Sequence, residues 1–225
     1  MKKETINIVY EDKIIIVVNK PAKLLTISTD KEKEKTLFHK VISYEKSKHK
    51  NNKVFIVHRL DKDTSGLIVF AKNEKIKKEL QDNWDKNVKR KYVAVLEGKL
   101  EKTSGTIKNY LKETNTFMTF SSNKPDCGKL AITKYKVLNK SKAYTLVDIE
   151  ILTGRKNQIR VHMNDLDHPI VGDKKYGAKT NPLNRLGLHA YFLEFKHPVT
   201  NQLVTFETKM PTLFLNMFTK KDINS

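Results

Sequence analysis

Short apolar runs separated by polar turns dominate this chain, and they predict more strands than helices. The first two strands are predicted over residues 6–10 and 13–19, around a turn at Glu11-Asp12. Further runs that are apolar throughout or alternate between apolar and polar residues predict strands over residues 55–57, 67–71, 91–97, 130–138, 143–152, 188–195 and 203–206.

Three helices are predicted between these strands. Thr36 is a candidate N-cap for a first helix whose inner face carries leucine, phenylalanine, valine and isoleucine. Asn73 is a candidate N-cap for a second, in which Ile76, Leu80 and Trp84 recur every fourth residue, so that Trp84 is expected in the helix core. A third helix is predicted over residues 156–166.

The order of these elements favours one fold class. Strands follow one another without a regular alternation with helices, which favours a largely antiparallel α+β domain over a Rossmann or barrel fold. The polar stretch 28–35 is predicted to be a loop, and the segment 100–129 to be a hairpin or insertion lying over the main sheet. Neither an internal repeat nor a Gly/Pro-rich linker is evident, so residues 1–225 are predicted to form one catalytic domain.

The charge of the chain points to a polyanionic partner. Lysine and arginine number 44 against 25 acidic residues, which gives a net charge of +19, and nucleic acid is favoured over a membrane because no basic amphipathic helix with bulky apolar anchors stands out. The alternative is surplus surface lysine on an ordinary enzyme. No apolar run approaches the ~20 residues that span a bilayer, and the N-terminal MKKETINIVY lacks the apolar segment of a signal peptide. A cytoplasmic location is therefore expected.

Metal and nucleotide cofactors are not indicated. The single cysteine, Cys127, can form neither an internal disulfide nor a cysteine zinc cluster, and a structural role is favoured over a nucleophilic one. The seven histidines show no HxxxH or HExxH spacing, and no glycine-rich phosphate-binding motif is present. We therefore expect no metal and no cofactor.

The segment HRLDKDTSGLIVFAKN, residues 58–73, concentrates acids, bases and hydroxyls in a short loop between two predicted buried strands. Functional side chains often lie on loops held by rigid elements. Aspartate, threonine, serine and glycine are also ordinary turn formers, so a solvated turn is the competing interpretation. Local chemistry alone leaves both interpretations open.

This segment resembles the signature loop of the RluA family of pseudouridine synthases. Four further blocks resemble the family in the same order, and with the loop they cover nearly the whole chain: NKPAKLLTIST from residue 19, KRKYVAVLEG from residue 89, GRKNQIRVH from residue 154 with HPIVGDKKYG from residue 168, and RLGLHAYFLEFKHP from residue 185. Asn157 stands where the family usually has histidine, and Lys23 and residues 26–28 also depart from its pattern. The resemblance implies the pseudouridine synthase fold, a mixed and mostly antiparallel central sheet flanked by helices, with a basic RNA-binding cleft.

By this resemblance Asp61 is the catalytic carboxylate in the isomerisation of uridine to pseudouridine. A carboxylate can stabilise or trap the charge that develops on the sugar when a glycosidic bond breaks. The resemblance also implies that Arg160 pairs with this aspartate, that Tyr92 stacks on the target base and helps to remove a proton from carbon 5, and that Arg59 enters the RNA as the uridine leaves it. The competing interpretation of Tyr92 is an ordinary packed residue of its strand, and that of Arg160 is a surface cation on a helix.

Further RNA contacts are expected from six side chains near these motifs: Arg59, His58, Arg155, Gln158, Lys89 and Lys91. Lys86 and Arg90 are also expected to contact phosphates. For the four cations of this basic run the alternative is an ordinary solvated charge: Lys86, Lys89, Arg90 and Lys91. For His58, as for His162, a hydrogen-bonded structural role competes with a functional one.

Three alternatives remain open at this level. Asp63 could replace Asp61 as the nucleophile, although it is expected to cap the turn. The chain could be a catalytically silent RNA-binding or ribosome-assembly factor on the same fold, or a glycosidase that uses Asp61 and Asp63. The expected substrate is structured RNA, either rRNA or tRNA or both. The lack of room for a separate N-terminal RNA-binding domain resembles the shorter family members, which act on tRNA or on both tRNA and rRNA, and is a weak pointer to such substrates. A monomer is the working expectation.

Overall fold

The computed structural model describes residues 6–28 and 34–218, which form two compact units. Unit 1 runs to Val88 and includes Phe192–Thr208, whereas unit 2 comprises Lys89–Tyr191 and the described residues from Lys209 on. Most of the loop predicted over residues 28–35, namely 29–33, lies outside the described residues, as does the start of the N-terminal segment.

Unit 1 contains a small sheet with helices on both of its faces. Its elements are β1 (Ile8–Glu11), β2 (Ile15–Lys20), α1 (Leu37–Lys48), β3 (Phe55–Ile56), β4 (Ser65–Ala71), α2 (Glu74–Asp82), α3 (Trp84–Asn87), the second part of β10 (Leu188–Lys196) and β11 (Leu203–Glu207). The pairs β1–β2, β2–β4, β3–β4 and β10–β11 are all antiparallel.

Strand β4 is buried along its whole length because it has an apolar core on each face. Leu67 and Val69 pack on the side of α2, and Ile68 and Phe70 pack on the side of α1. Successive side chains of a strand point to opposite faces, so a continuous apolar run fits this doubly covered position. Strand β2 follows the same alternation, which explains why both strands read as unbroken apolar runs.

The helix N-caps predicted in unit 1 are confirmed. The Thr36 hydroxyl accepts from the backbone N–H of His39 at 3.2 Å, and Asn73 Oδ1 accepts from that of Ile76 at 2.8 Å. Each bond satisfies one of the backbone donors that the first helical turn leaves without an intrahelical partner. Trp84 packs against the same apolar core as Ile76 and Leu80, as expected. Its place in the second helix is wrong, because α2 ends at Asp82 and Trp84 begins the separate short helix α3.

Unit 2 is built on antiparallel strands. Its elements are β5 (Lys89–Glu97), β6 (Ser104–Glu113), β7 (Thr119–Ser122), β8 (Lys129–Lys140), β9 (Tyr144–Ile151), α4 (Gln158–Asn164), the first part of β10, and α5 (Thr212–Leu215). The order of pairing is β5, β9, β8, β6 and β7.

Two predictions for unit 2 need correction. The segment 100–129 forms the predicted hairpin, of β6 and β7, but it does not lie over the sheet, because β6 pairs with β8 over eight residues and extends the sheet sideways. The helix predicted over residues 156–166 is shorter, since α4 covers only Gln158–Asn164. The α+β class with mostly antiparallel strands is confirmed. Within the described part of the chain, no helix is long and apolar enough to cross a membrane.

Candidate active site

Asp61 lies in the loop between β3 and β4, in unit 1. Its side chain is half-buried, whereas Lys62 and Asp63 are exposed and Leu60 is buried. The turn closes through the Asp61 carbonyl, which accepts from the Thr64 backbone N–H at 3.2 Å. The turn is thus closed by a backbone hydrogen bond, and the cap by the Asp63 side chain that the sequence suggested stays a prediction.

The residue before Asp61 is clamped by a buried hydroxyl. Thr26 is 3% exposed, and its Oγ1 donates to the Leu60 carbonyl at 2.7 Å while accepting from the Leu60 backbone N–H at 3.3 Å. One hydroxyl thus satisfies both backbone groups of Leu60, whose own side chain is buried. The loop is therefore held here by Thr26 as well as by the hydrogen bond of its own turn.

The residue after Asp61 is held by a buried ammonium group. Lys20, at the end of β2, is 0% exposed, and its Nζ donates to the carbonyls of Lys62 (3.0 Å), Leu24 (2.7 Å) and Pro21 (3.1 Å). An ammonium group has three N–H donors, so three carbonyls match its capacity. Asp61 is therefore flanked on both sides by anchored backbone.

His58 has a structural position at the start of the loop. Its ring stacks on Trp84 with centroids 4.3 Å apart, and its Nε2 accepts from the Val69 backbone N–H at 3.1 Å. These contacts join β4 and α3 to the loop and favour the structural interpretation of His58. Arg59 is exposed, as an RNA-contacting cation must be.

Tyr92 lies on β5 in unit 2, opposite Ile149 of β9, and is 8% exposed. Lys89 is exposed and Lys91 is half-buried. Arg90 points to the other face of the strand, the face of Tyr92, and is only 5% exposed; its contact with phosphates stays a prediction. The alternation of the strand separates this buried arginine from the lysines on either side of it.

Arg160 lies on α4, with a guanidinium group oriented by three partners in unit 2. It makes a bidentate ion pair with Asp173, with Nε–Oδ2 at 2.6 Å and Nη2–Oδ1 at 2.7 Å, and Nη1 donates to Asn157 Oδ1 at 2.9 Å. The guanidinium carbon also lies 4.8 Å from the centroid of the Tyr176 ring. A bidentate pair fixes the plane of the guanidinium; the pairing with Asp61 stays a prediction.

Asn157, the departure from the family pattern, fits a special backbone position. It precedes α4 with φ of +54°, a left-handed conformation that asparagine tolerates better than most residues. Its Nδ2 donates to the Tyr176 hydroxyl at 3.1 Å while its Oδ1 accepts from Arg160. Asparagine thus serves as a bridge between the tyrosine and the arginine.

Gln158 is buried and hydrogen-bonded within the protein, which favours a structural role, and its RNA contact stays a prediction. It is 3% exposed, its Oε1 accepts from Thr153 Oγ1 and the Arg155 N–H, and its Nε2 donates to the Ile132 carbonyl and Thr133 Oγ1, all within 3.1 Å. Its amide therefore organises the Gly154 loop. Arg155 is half-buried, and its Nε donates to the Leu130 carbonyl at 2.9 Å.

Sequence reasoning missed two residues that shape these sites. Lys20 and Asp173 both lie inside recognised blocks, NKPAKLLTIST and HPIVGDKKYG, but nothing in their local pattern shows that one anchors the Asp61 loop and the other holds Arg160. Among residues 6–28 and 34–218, no group of three or more histidine, cysteine or carboxylate side chains is arranged to hold a metal ion.

A family model described as RNA pseudouridylate synthase matches residues 14–165. The chain belongs to this family. The family reaction is the isomerisation of uridine in RNA, so the chain is classed with the isomerases.

Two bacterial relatives illustrate the similarity. An uncharacterized RNA pseudouridine synthase of Bacillus subtilis (strain 168), YhcT, is 36% identical over 215 residues, covering 94% of this chain and 71% of the relative. Ribosomal large subunit pseudouridine synthase D of Haemophilus influenzae is 33% identical over 227 residues, covering 94% and 69%.

Solved structures show the same fold. The human RNA pseudouridylate synthase domain-containing protein 4 superimposes with a TM-score of 0.77 at 24% identity, covering 93% of this chain and 90% of that one. The human domain-containing protein 1 gives a TM-score of 0.73 at 26% identity, covering 93% and 86%. The pseudouridine synthase fold implied by the motifs is confirmed.

Proposed function

We propose that this protein isomerises uridine in structured rRNA, tRNA or both, with Asp61 as its catalytic carboxylate. The observation that carries the assignment is the anchoring of the Asp61 loop: Thr26 holds the backbone of Leu60, and Lys20 holds the carbonyl of Lys62. A catalytic group must stay close to its productive geometry. Asp63, two residues away, is exposed and follows the second anchor.

The proposed chemistry needs one ionised carboxylate. Cleavage of the bond from N1 of the base to the ribose develops oxocarbenium-like charge on the sugar, which Asp61 stabilises or traps, before the base rejoins the sugar through carbon 5. For Tyr92 and Arg160 we propose the roles that the family resemblance implies: the tyrosine stacks on the base and assists proton removal, and the arginine stabilises the negative charge of Asp61.

The cations that we propose for RNA contact are Arg59, Lys89, Lys91 and Arg155. Arg59 and Lys89 are exposed, and Lys91 and Arg155 are half-buried, so all four have solvent-accessible surface. The net charge of +19 supports a polyanionic substrate. The name of the Haemophilus relative supports rRNA as the first substrate to test. A monomeric state and a cytoplasmic location stay predictions.

The test uses RNA transcripts labelled with tritium at carbon 5 of uridine, because isomerisation releases that tritium. With 23S rRNA and bulk tRNA transcripts in separate reactions, we expect the wild-type protein to release tritium from at least one. Asp61→Asn keeps the shape of the side chain but removes its charge, and should lower the rate about 10³-fold or more while leaving RNA affinity within a few fold. Asp63→Asn is the matched control and should remain active.

The outcomes separate the candidate functions. Turnover by Asp61→Asn at the wild-type rate would contradict the assignment of the carboxylate. If the wild-type protein binds both RNAs but releases no tritium from either, the silent RNA-binding factor is the better description. Loss of activity in Asp63→Asn, with Asp61→Asn active, would exchange the roles of the two aspartates.

A further inference from the structure

The hairpin between β6 and β7 carries an aromatic ring that the proposed reaction does not use. Phe117 lies at its tip and is 68% exposed, whereas the next residue, Met118, packs against the core of unit 2. Phe117 also has φ of +59°, a conformation that bulky non-glycine residues rarely adopt and that costs of order 1–3 kcal/mol. A phenylalanine held out of the core in a strained conformation suggests that its ring contacts another molecule.

Hydrogen bonds fix the backbone of the tip that carries this ring. The Thr114 N–H donates to the Met118 carbonyl at 2.7 Å, the Phe117 N–H donates to the Thr114 carbonyl at 3.0 Å, and Thr114 Oγ1 accepts from the Met118 N–H at 3.2 Å. Lys175 adds a bond from its Nζ to the Phe117 carbonyl at 2.8 Å. An aromatic side chain on a braced turn loses little entropy when it binds a ligand.

Two cations contact Phe117, one at its ring and one at its backbone. Lys156 Nζ is 5.2 Å from the Phe117 ring centroid, and Lys175 reaches the backbone of the same residue. Lys156 also pairs with Glu113, but both side chains are more than a third exposed (37% and 38%). An ion pair this exposed contributes little, so Lys156 can exchange the carboxylate for a phosphate at small cost.

A cavity of about 580 Å³ adjoins the hairpin, and Lys156 lines it as well. Its volume falls within the range of about 300–1,000 Å³ that small-molecule sites occupy. Four cations and two carboxylates line it: Lys112, Lys129, Arg155, Lys156, Glu113 and Asp126. The balance of charge favours an anion, and the nearby ring favours one that carries a flat apolar group.

We propose that the Phe117 tip and this cavity form a second RNA subsite, in which an unpaired base of the substrate stacks on Phe117 and its phosphates contact Lys156 and the other cavity cations. Every nucleobase has a π-face, so such a subsite binds unpaired RNA with little dependence on sequence. The inference rests on the proposed function for the identity of its ligand. It assigns a ligand-binding role to the tip of the segment 104–122, which also widens the sheet of unit 2.

The test measures the affinity of the full chain for two fluorescein-labelled RNAs, a single-stranded 12-mer and a 12-base-pair duplex. Phe117→Asn removes the ring while suiting the left-handed backbone, and should weaken single-strand binding about 5- to 100-fold but duplex binding by less than twofold. Phe117→Trp should restore single-strand affinity. Phe120→Ala is the matched control, because Phe120 is also exposed on this hairpin but alternates to the face opposite Thr119, which lines the cavity. It should bind normally.

A second pair of variants tests the cation. Lys156→Gln should reduce the slope of log affinity against log salt by about 0.7 for the single strand, whereas Lys140→Gln, at the other end of β8 from Lys129, should leave the slope unchanged. Wild-type single-strand affinity in Phe117→Asn, or an equal loss in Phe120→Ala, would overturn the proposal. Tritium release is measured separately: if it fails in the wild type while the Phe117 effect holds, the subsite stands and the proposed reaction does not.

Discussion

The buried histidine of α4 makes the stability of the fold depend on pH. His162 is 0% exposed, and its Nε2 lies 2.8 Å from Asn109 Oδ1. The Asn109 Nδ2 donates to Asp165 Oδ2 at 3.1 Å, so its oxygen faces the ring and Nε2 carries the proton. Nδ1 is buried and has no hydrogen-bond partner among residues 6–28 and 34–218. Protonation would place a charge there, and burial therefore lowers the pKa of His162 from 6.5 to about 4.

The size of the effect follows from this shift. Between pH 6.5 and 4 the unfolded chain binds a proton at this histidine that the folded chain does not, so the free energy of unfolding falls as the pH falls. At 1.36 kcal/mol per pKa unit the full loss is about 3 kcal/mol, of which about 2 kcal/mol is lost between pH 7 and 5. His189, whose pKa burial and the charge of Arg185 lower to about 4, adds a loss of the same sign.

Replacing His162 by glutamine isolates its share. Glutamine keeps an N–H donor near the position of Nε2 but does not titrate, so the loss of unfolding free energy between pH 7 and 5 should shrink by about 2 kcal/mol. The measurement is urea unfolding followed by far-ultraviolet circular dichroism at both pH values. Burial raises the pKa of Asp165, which acts in the opposite direction at the acid end. Both proteins retain Asp165, so the comparison cancels most of its effect.

An exposed histidine supplies the control for this comparison. His39 is exposed on α1, and His39→Gln should leave the dependence on pH as in the wild type. If His162→Gln loses as much stability on acidification as the wild type does, His162 is not buried in its neutral form and the hydrogen-bond assignment is wrong.

Three further substitutions test the anchors and the core. Lys20→Met leaves three carbonyls without this donor, and it should lower the free energy of unfolding by about 1–3 kcal/mol. It should also lower kcat in the tritium assay, and an unchanged kcat would show that the Asp61 loop does not need this anchor. Thr26→Val keeps the shape but removes both bonds to Leu60, with an expected loss of similar size in the same two measurements. Phe70→Ala, in the core of unit 1, should cost about 3–5 kcal/mol in urea unfolding, and a loss below 1 kcal/mol would contradict its close packing.

Strand positions were predictable because each strand is a run of apolar or alternating residues bounded by turn residues. Helix starts were predictable where a side chain caps the first turn, as Thr36 and Asn73 do. The break between α2 and α3 was not predictable, since Ile76, Leu80 and Trp84 keep helical spacing across it. Spacing reports which face a residue would occupy, but it does not show where the backbone hydrogen bonds stop.

The site was predictable at the level of motifs and not at the level of contacts. The blocks around Asp61, Tyr92 and Arg160 identified the family. The sequence also predicted RNA contacts for Gln158 and Arg90, and both of these side chains are buried. A polar side chain in a motif can either contact a ligand or make hydrogen bonds within the protein, and the sequence does not distinguish the two roles. Only burial and partner geometry separate the two roles.

The opening motif NKPAKLLTIST supplies the supports for a loop about forty residues further along the chain. Lys20 and Thr26 hold the backbone on either side of Asp61 through an ammonium group and a hydroxyl, two groups that reach carbonyls which no strand partner satisfies. A buried ammonium is costly to desolvate. The Lys62 carbonyl is the acceptor that the Asp61 loop supplies toward offsetting that cost, and it does so only while the loop keeps its shape. The lysine and the loop therefore stabilise each other, so a change in either should disturb both the fold and the position of the carboxylate.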